Sequence, residues 1–136
     1  MSDVKKIKNA CLLASLESFF HDHGIQLEQE CMMQVLINKK LCATDGVIPF
    51  GRMKEAFDVL NLKITEVPYH YPIDKKYEDG SLLIGTKSPG FHCMRFLQQV
   101  EDGKIFVMDP DVGTSRYCDK ADLESYNPTF YQVEIL

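Results

Sequence analysis

Apolar residues recur at helical spacing through roughly the first sixty positions and at strand spacing through most of the remainder. Over residues 10 to 23, Leu12, Leu13, Leu16, Phe19 and Phe20 predict an amphipathic helix, with Asn9 as its N-cap and Gly24 as its stop. Residues 27 to 38 predict a second helix, with Leu27, Cys31, Met32, Val35 and Leu36 on one side. The tight Gly24-Ile25-Gln26 turn between them implies that the two pack together. A loop with an Asp45-Gly46 turn follows over 39 to 49, then a third helical pattern at 50 to 60 through Met53, Ala56, Phe57 and Leu60.

From there the period changes to two. Residues 62 to 67, 81 to 86, 91 to 100, 104 to 109 and 129 to 135 predict strands. Glu101-Asp102-Gly103 supplies a hairpin turn between the third and fourth of these. The stretch 68 to 80 reads as an irregular surface loop, and 119 to 125 as a short helix. Helices first and an antiparallel sheet second is the α+β pattern. No repeat or low-complexity linker interrupts it, and 136 residues fit one domain spanning 1–136.

Composition narrows the partners. A formal net charge of -5 argues against nucleic acid or an anionic membrane surface. No stretch approaches the roughly 20 apolar residues of a membrane helix, and the basic start is followed too soon by Glu17, His21, Asp22 and His23 to be a secretory signal. Synthesis in the cytoplasm is the expectation, with signal-independent export left open. The cysteines number five and form no Cys-x-x-Cys, so reduced thiols are expected rather than disulfides or structural zinc. His21 and His23 sit two apart on a helix, on different faces, which does not suit a metal. Neither a glycine-rich phosphate loop nor a serine elbow is present, and no cofactor is expected.

Candidate chemistry lies in Cys11, His92 and Asp109, in that order. Cys11 opens the first helix, where the N-terminal dipole and an imidazolium partner favour a thiolate. His92 lies on a predicted strand, and Asp109 ends the next, where a carboxylate can orient the imidazole. Each has an ordinary reading too: a buried core cysteine, a half-buried strand histidine, an Asp-Pro turn. It is the joint order that points to catalysis. Counting outward from the hairpin turn pairs Asp109 near residue 96 or 97, about 13 Å from His92 along a regular ladder. A bulge or shifted register is needed to close that gap. Cys93 alternates to the face opposite His92 and reads as core, as does Cys31, whereas Cys42 and Cys118 fall in predicted loops as surface thiols. The Tyr69-His70-Tyr71 run, flanked by Pro68 and Pro72, reads as a solvated loop with partly buried rings, or as one wall of a substrate groove.

These motifs together resemble the papain-like peptidases that cleave after double glycine in bacteriocin leader peptides. The carriers are Cys11 to Gly24, Leu27 to Leu36, the helix and turn from Met53 to Lys63, Phe91-His92-Cys93-Met94, and Val107-Met108-Asp109-Pro110. The chain departs from that family in having Ala10-Cys11-Leu12 where Asp-Cys-Gly is usual. It also has Lys5 where a glutamine six residues before the cysteine helps form the oxyanion hole. Its first forty residues are also similar to butirosin-type acyltransferases, through Cys11 and His23-Gly24-Ile25-Gln26-Leu27. The resemblance implies a papain-like fold with N-terminal helices packed on a C-terminal antiparallel sheet. It also implies a bacterial cysteine hydrolase, an effector or toxin among the readings, acting on a protein or peptide. In it Cys11, His92 and Asp109 would be catalytic and the Cys11 N–H, with Asn9 or Lys5, would hold the oxyanion. Three readings stay open: peptidase, glutamine deamidase or thiol acyltransferase, and a peptide-binding module without chemistry. Whether a partner protein completes the site is open as well.

Overall fold

The computed structural model describes residues 3–86, 92–100 and 102–136. Helix α1 (Cys11–Asp22) and helix α2 (Gln29–Asn38) pack together. A 3₁₀ turn (Phe50–Arg52) leads into α3 (Met53–Val59). Six strands follow: β1 (Leu62–Val67), β2 (Leu82–Thr86), β3 (His92–Val100), β4 (Lys104–Asp109), β5 (Thr114–Asp119) and β6 (Pro128–Ile135). A short helix α4 (Lys120–Glu124) separates the last two. All strand pairs are antiparallel, in the order β1-β6-β2-β3-β4-β5. The α+β papain-like arrangement expected from the sequence is the one observed.

Alternation along the central strands divides the interior into two layers. Leu83, Cys93, Tyr131 and Val133 pack with Leu13, Leu16, Phe19, Met32, Leu36 and Phe57 of the helices. Their neighbours Leu82, Ile84, Met94, Phe96 and Phe130 form a second core with Ile73, Tyr77 and Leu123. The segment 68 to 80 is therefore not the irregular surface loop expected. It carries a 3₁₀ turn (Lys75–Asp79), buries Ile73 and Tyr77, and covers the sheet face turned away from α1. Tyr69 and Tyr71 pack into that same layer, not against Cys11.

Arg95 ties the layers together. It is 2% exposed. Its guanidinium pairs with Asp22 at the end of α1, and also donates to the Ser18 carbonyl at 3.2 Å and to the Gly80 carbonyl at 3.0 Å. A buried charge is tolerated only when so fully partnered. The effect is to pin the end of α1 to β3, the strand that begins at His92.

Four cysteine and capping expectations change. Cys31 is exposed, because α2 turns Met32, Met33 and Leu36 inward instead. Cys42 and Cys118 are buried rather than surface thiols, Cys118 because it lies on a strand, β5, that its polar sequence concealed. No disulfide joins any of the five cysteines. The N-cap of α1 is Ala10, not Asn9, whose side chain is turned to Asp45. Among the described residues no helix is long and apolar enough to cross a membrane.

Candidate active site

The hairpin of β3 and β4 turns through Asp102 and Gly103, both at positive φ (64° and 70°); Glu101, the first residue of the expected turn, lies outside the described residues, as does Phe91. Its ladder starts in the register Val100↔Lys104, Gln99↔Ile105, Gln98↔Phe106. Continued regularly, that register would set Asp109 opposite Arg95, whose side chain alternates to the face opposite that of His92. A bulge between Phe96 and Gln98 shifts it to Phe96↔Val107 and Arg95↔Met108. Asp109 is thereby carried to the level of Met94, two residues from His92 and on its face. Diagonal neighbours of this kind are within reach of long side chains, and the gap anticipated from a regular ladder is closed.

The His92 Nε2 atom lies 2.9 Å from Asp109 Oδ1. The Cys11 thiol, on the first residue of α1, lies beside the same imidazole and interacts with it. The three residues singled out in the sequence thus form one connected group. Asp109 is 3% exposed and fully engaged. Its Oδ1 also accepts the Asp111 backbone N–H at 3.0 Å, and its Oδ2 accepts Arg116 Nε at 2.9 Å. Burial opposes this carboxylate, yet the bonds to His92 and Arg116 outweigh it and hold its pKa down at about 2. For His92 burial again opposes charge. The hydrogen bonds to Asp109 and Cys11, with the charges of Asp109 and Asp111, prevail and raise its pKa to about 9. The imidazolium is therefore the stable form of this ring at neutral pH.

Three participants were not anticipated. Arg116, on β5, stands opposite Val107 and so two residues from Asp109 along the ladder. Its signal would have been the strand β5 itself. Asp111 follows Asp109 by two in Asp-Pro-Asp, and its Oδ2 lies 3.5 Å from His92 Nδ1. Lys6 pairs with Asp111 at 2.6 Å, and its backbone N–H donates to the Pro110 carbonyl at 2.9 Å. That pairing, aided by the nearby Cys11 and Asp109, raises the Lys6 pKa.

Of the oxyanion donors suggested by the sequence, Asn9 lines a shallow cavity of about 120 Å³ with Cys11, Leu12, Gly46, Val47 and Ile48. Its amide donates to Asp45 Oδ2 at 3.0 Å. Lys5 is exposed, with its stem against Gly113, and its carbonyl accepts Gln29 Nε2 at 2.8 Å. The cation brought to the group is its neighbour Lys6. The segment ahead of Cys11 is held in place by Gln29, which also accepts the Ile7 N–H at 3.0 Å.

Among the described residues, His92, Asp109 and Asp111 are the side chains close enough together to hold a metal ion. Arg116 and Lys6 already neutralise both carboxylates, so the donor set does not suit a divalent cation. His23 is engaged elsewhere, with Nδ1 2.8 Å from the Phe19 carbonyl.

Comparison with known proteins places this arrangement in context. No protein-family model and no curated protein matches the chain. Among solved structures, it is similar to the peptidase domain of Streptococcus ComA, a bi-functional ABC transporter involved in a quorum-sensing pathway. The TM-score is 0.71 at 13% identity, covering 99% of this chain and 98% of that one. It is also similar to the N-terminal peptidase C39-like domain of a toxin secretion ATP-binding protein from Vibrio parahaemolyticus, with a TM-score of 0.66 at 14% identity, covering 97% and 98%. At these identities the likeness is one of fold: the chain has the papain-like α+β fold of peptidase C39-like domains.

Proposed function

We propose that the protein is a cysteine peptidase in which Cys11 is the nucleophile, His92 the general base and acid, and Asp109 the orienting carboxylate. The observation that carries this reading is one imidazole bonded to the buried Asp109 and placed beside Cys11 at the start of α1. With Nε2–H donated to Asp109, Nδ1 is the nitrogen that holds the proton given up by the thiol, so the thiolate stands beside an imidazolium before substrate arrives. The thiolate attacks the carbonyl of a peptide bond, and the Cys11 backbone N–H at the start of α1 faces the developing oxyanion. His92 protonates the leaving amine, and water releases the acyl group from sulfur.

A second reading, binding without chemistry, draws on Asn9 and Lys5. One is tied to Asp45 and the other leans on Gly113, so the oxyanion side lacks the fixed amide usual in the resembling peptidases. Loss of one such donor costs about 10²–10³ in rate.

The test has two stages. Iodoacetamide labelling from pH 5 to 9, mapped by mass spectrometry, should modify Cys11 selectively at mildly acidic pH in the wild type and not in His92→Ala. The protein is then incubated with a peptide library and the new termini are sequenced. Cleavage lost in Cys11→Ala establishes the peptidase. Deamidated or transferred products would reassign the chemistry to side-chain amides or acyl transfer. Cys11 labelling no faster than that of exposed Cys31 would leave only the binding module.

A further inference from the structure

The proposed triad accounts for the Nε2 side of His92. The Nδ1 side has a second carboxylate, Asp111, at 3.5 Å. Asp111 is itself held by Lys6, whose ammonium lies 2.6 Å from the other oxygen of that carboxylate. Nε2 belongs to Asp109, so Nδ1, which Asp111 approaches, is the nitrogen left for Cys11. An unneutralised carboxylate there would favour the imidazolium but oppose the thiolate beside it. A neutralised one does neither strongly.

Resting on the peptidase reading, we propose that Lys6 and Asp111 are a charge-balancing pair of positioning residues. Lys6 draws the Asp111 carboxylate off the thiolate, and Asp111 fixes the ammonium at the mouth of the site. The pair does not enter the chemistry. It sets the pH window in which thiolate and imidazolium coexist.

The geometry supports this in three ways. Lys6 is fixed at both ends, its backbone by Pro110 and its side chain by Asp111, within the same turn that follows Asp109. The chain on either side of it is gripped by Gln29 through the Lys5 carbonyl and the Ile7 N–H. Residue 6 therefore cannot drift from the site as an ordinary surface lysine would. Among the described residues, the remaining charged and titratable groups around His92 are Cys11 on α1, Asp109 on β4, Arg116 on β5 and, next along β3, the buried Cys93. Asp109 and Arg116 already balance each other at 2.9 Å, which leaves Asp111 as the carboxylate that needs a cation.

Opposite signs make the proposal testable. The pH dependence of Cys11 alkylation by iodoacetamide is measured in the wild type, Lys6→Met, Asp111→Asn and the double variant. Lys6→Met leaves a bare carboxylate and should move the rise in labelling to higher pH by about half a unit to one unit. Asp111→Asn leaves a bare ammonium and should move it to lower pH. The double variant should return close to the wild type, and Lys6→Arg should leave the profile in place. A merely structural role would slow labelling in every variant without opposite displacements. Shifts of the same sign, or no shift, in variants that keep the wild-type circular dichroism would overturn the proposal. If Cys11 is not selectively labelled even in the wild type, it is the peptidase reading that falls.

Discussion

Arg116 Nε donates to Asp109 Oδ2 at 2.9 Å, on the far side of the carboxylate from His92. Asp109 is therefore clamped between two cations, one of which turns over protons and one of which cannot. The clamp orients the oxygen that faces His92 and keeps the carboxylate ionised despite burial. Arg116→Met should lower turnover about tenfold, equivalent to about 1.4 kcal/mol of transition-state stabilisation, with little change in KM. Asp109→Asn should lose far more, roughly 10³–10⁴, because an amide can present its N–H to Nε2 and reverse the tautomer. Steady-state kinetics on a peptide found by the library experiment would decide. Equal losses in the two variants would mean that Arg116 does more than orient.

His92 and Asp109 also make stability depend on pH. The folded pKa of His92, about 9, lies above the ordinary 6.5. Its contribution is thus fully present below about 6.5 and is lost as pH rises toward 9, since the folded state holds a proton that the unfolded state has released. Asp109, held at about 2 against 3.8, acts in the other direction: its contribution is present above 3.8 and lost as pH falls toward 2. Urea unfolding should therefore show a fall in stability from pH 6.5 to 9 that His92→Gln largely removes. An unchanged slope in that variant would place the pH dependence in another group.

Much of this was legible in the sequence, for identifiable reasons. The helices α1, α2 and α3 and the strands β1, β2, β3, β4 and β6 carry clear apolar periodicity. The Asp102-Gly103 turn fixes the hairpin. The strand β5 was hidden because its inward residues include Arg116 and a single buried Cys118, so alternation fails. With β5 hidden, Arg116 could not be placed beside Asp109. The bulge near Leu97 has no local signal either, since neither proline nor glycine marks it. Yet it decides the face on which Asp109 emerges, and so whether the group forms at all. Cys31 and Val35 suited a helical stripe by spacing, but α2 lies on α1 through Met32, Met33 and Leu36, a rotation that only packing determines.

Arg95 should be the most sensitive polar position in the interior. It is buried with Asp22, the Ser18 carbonyl and hydroxyl, and the Gly80 carbonyl as partners. Arg95→Met takes from the partly buried Asp22 its bond to Arg95 and removes the Arg95 bonds to the Ser18 and Gly80 carbonyls, at a cost of about 3–5 kcal/mol. Asp22→Ala should cost a similar amount from the other side, and the two losses should be far from additive in a double-mutant cycle. Additive losses in chemical denaturation would show that the pair is not the unit that pins α1 to β3.

Gly46 governs the wall beside the nucleophile. It sits at φ +93°, and a Cβ built there would lie 2.6 Å from the Ala10 Cβ and 3.1 Å from the Ala10 Cα. Ala10 directly precedes Cys11, and Gly46 lines the same cavity as the thiol. Gly46→Ala therefore combines left-handed strain with a clash against backbone that cannot swing away. Gly24 provides the control: it too has positive φ, +74°, but a Cβ there meets nothing within 4 Å. Gly24→Ala should lose only the conformational cost, about 1 kcal/mol, and leave Cys11 alkylation as in the wild type. Gly46→Ala should lose about 2–3 kcal/mol in urea unfolding and slow both alkylation and peptide cleavage, because relief of the clash displaces either the 43–47 turn or the start of α1. If the two alanine variants behave alike in both measurements, the close approach at Ala10 is not what shapes the entrance to the thiol.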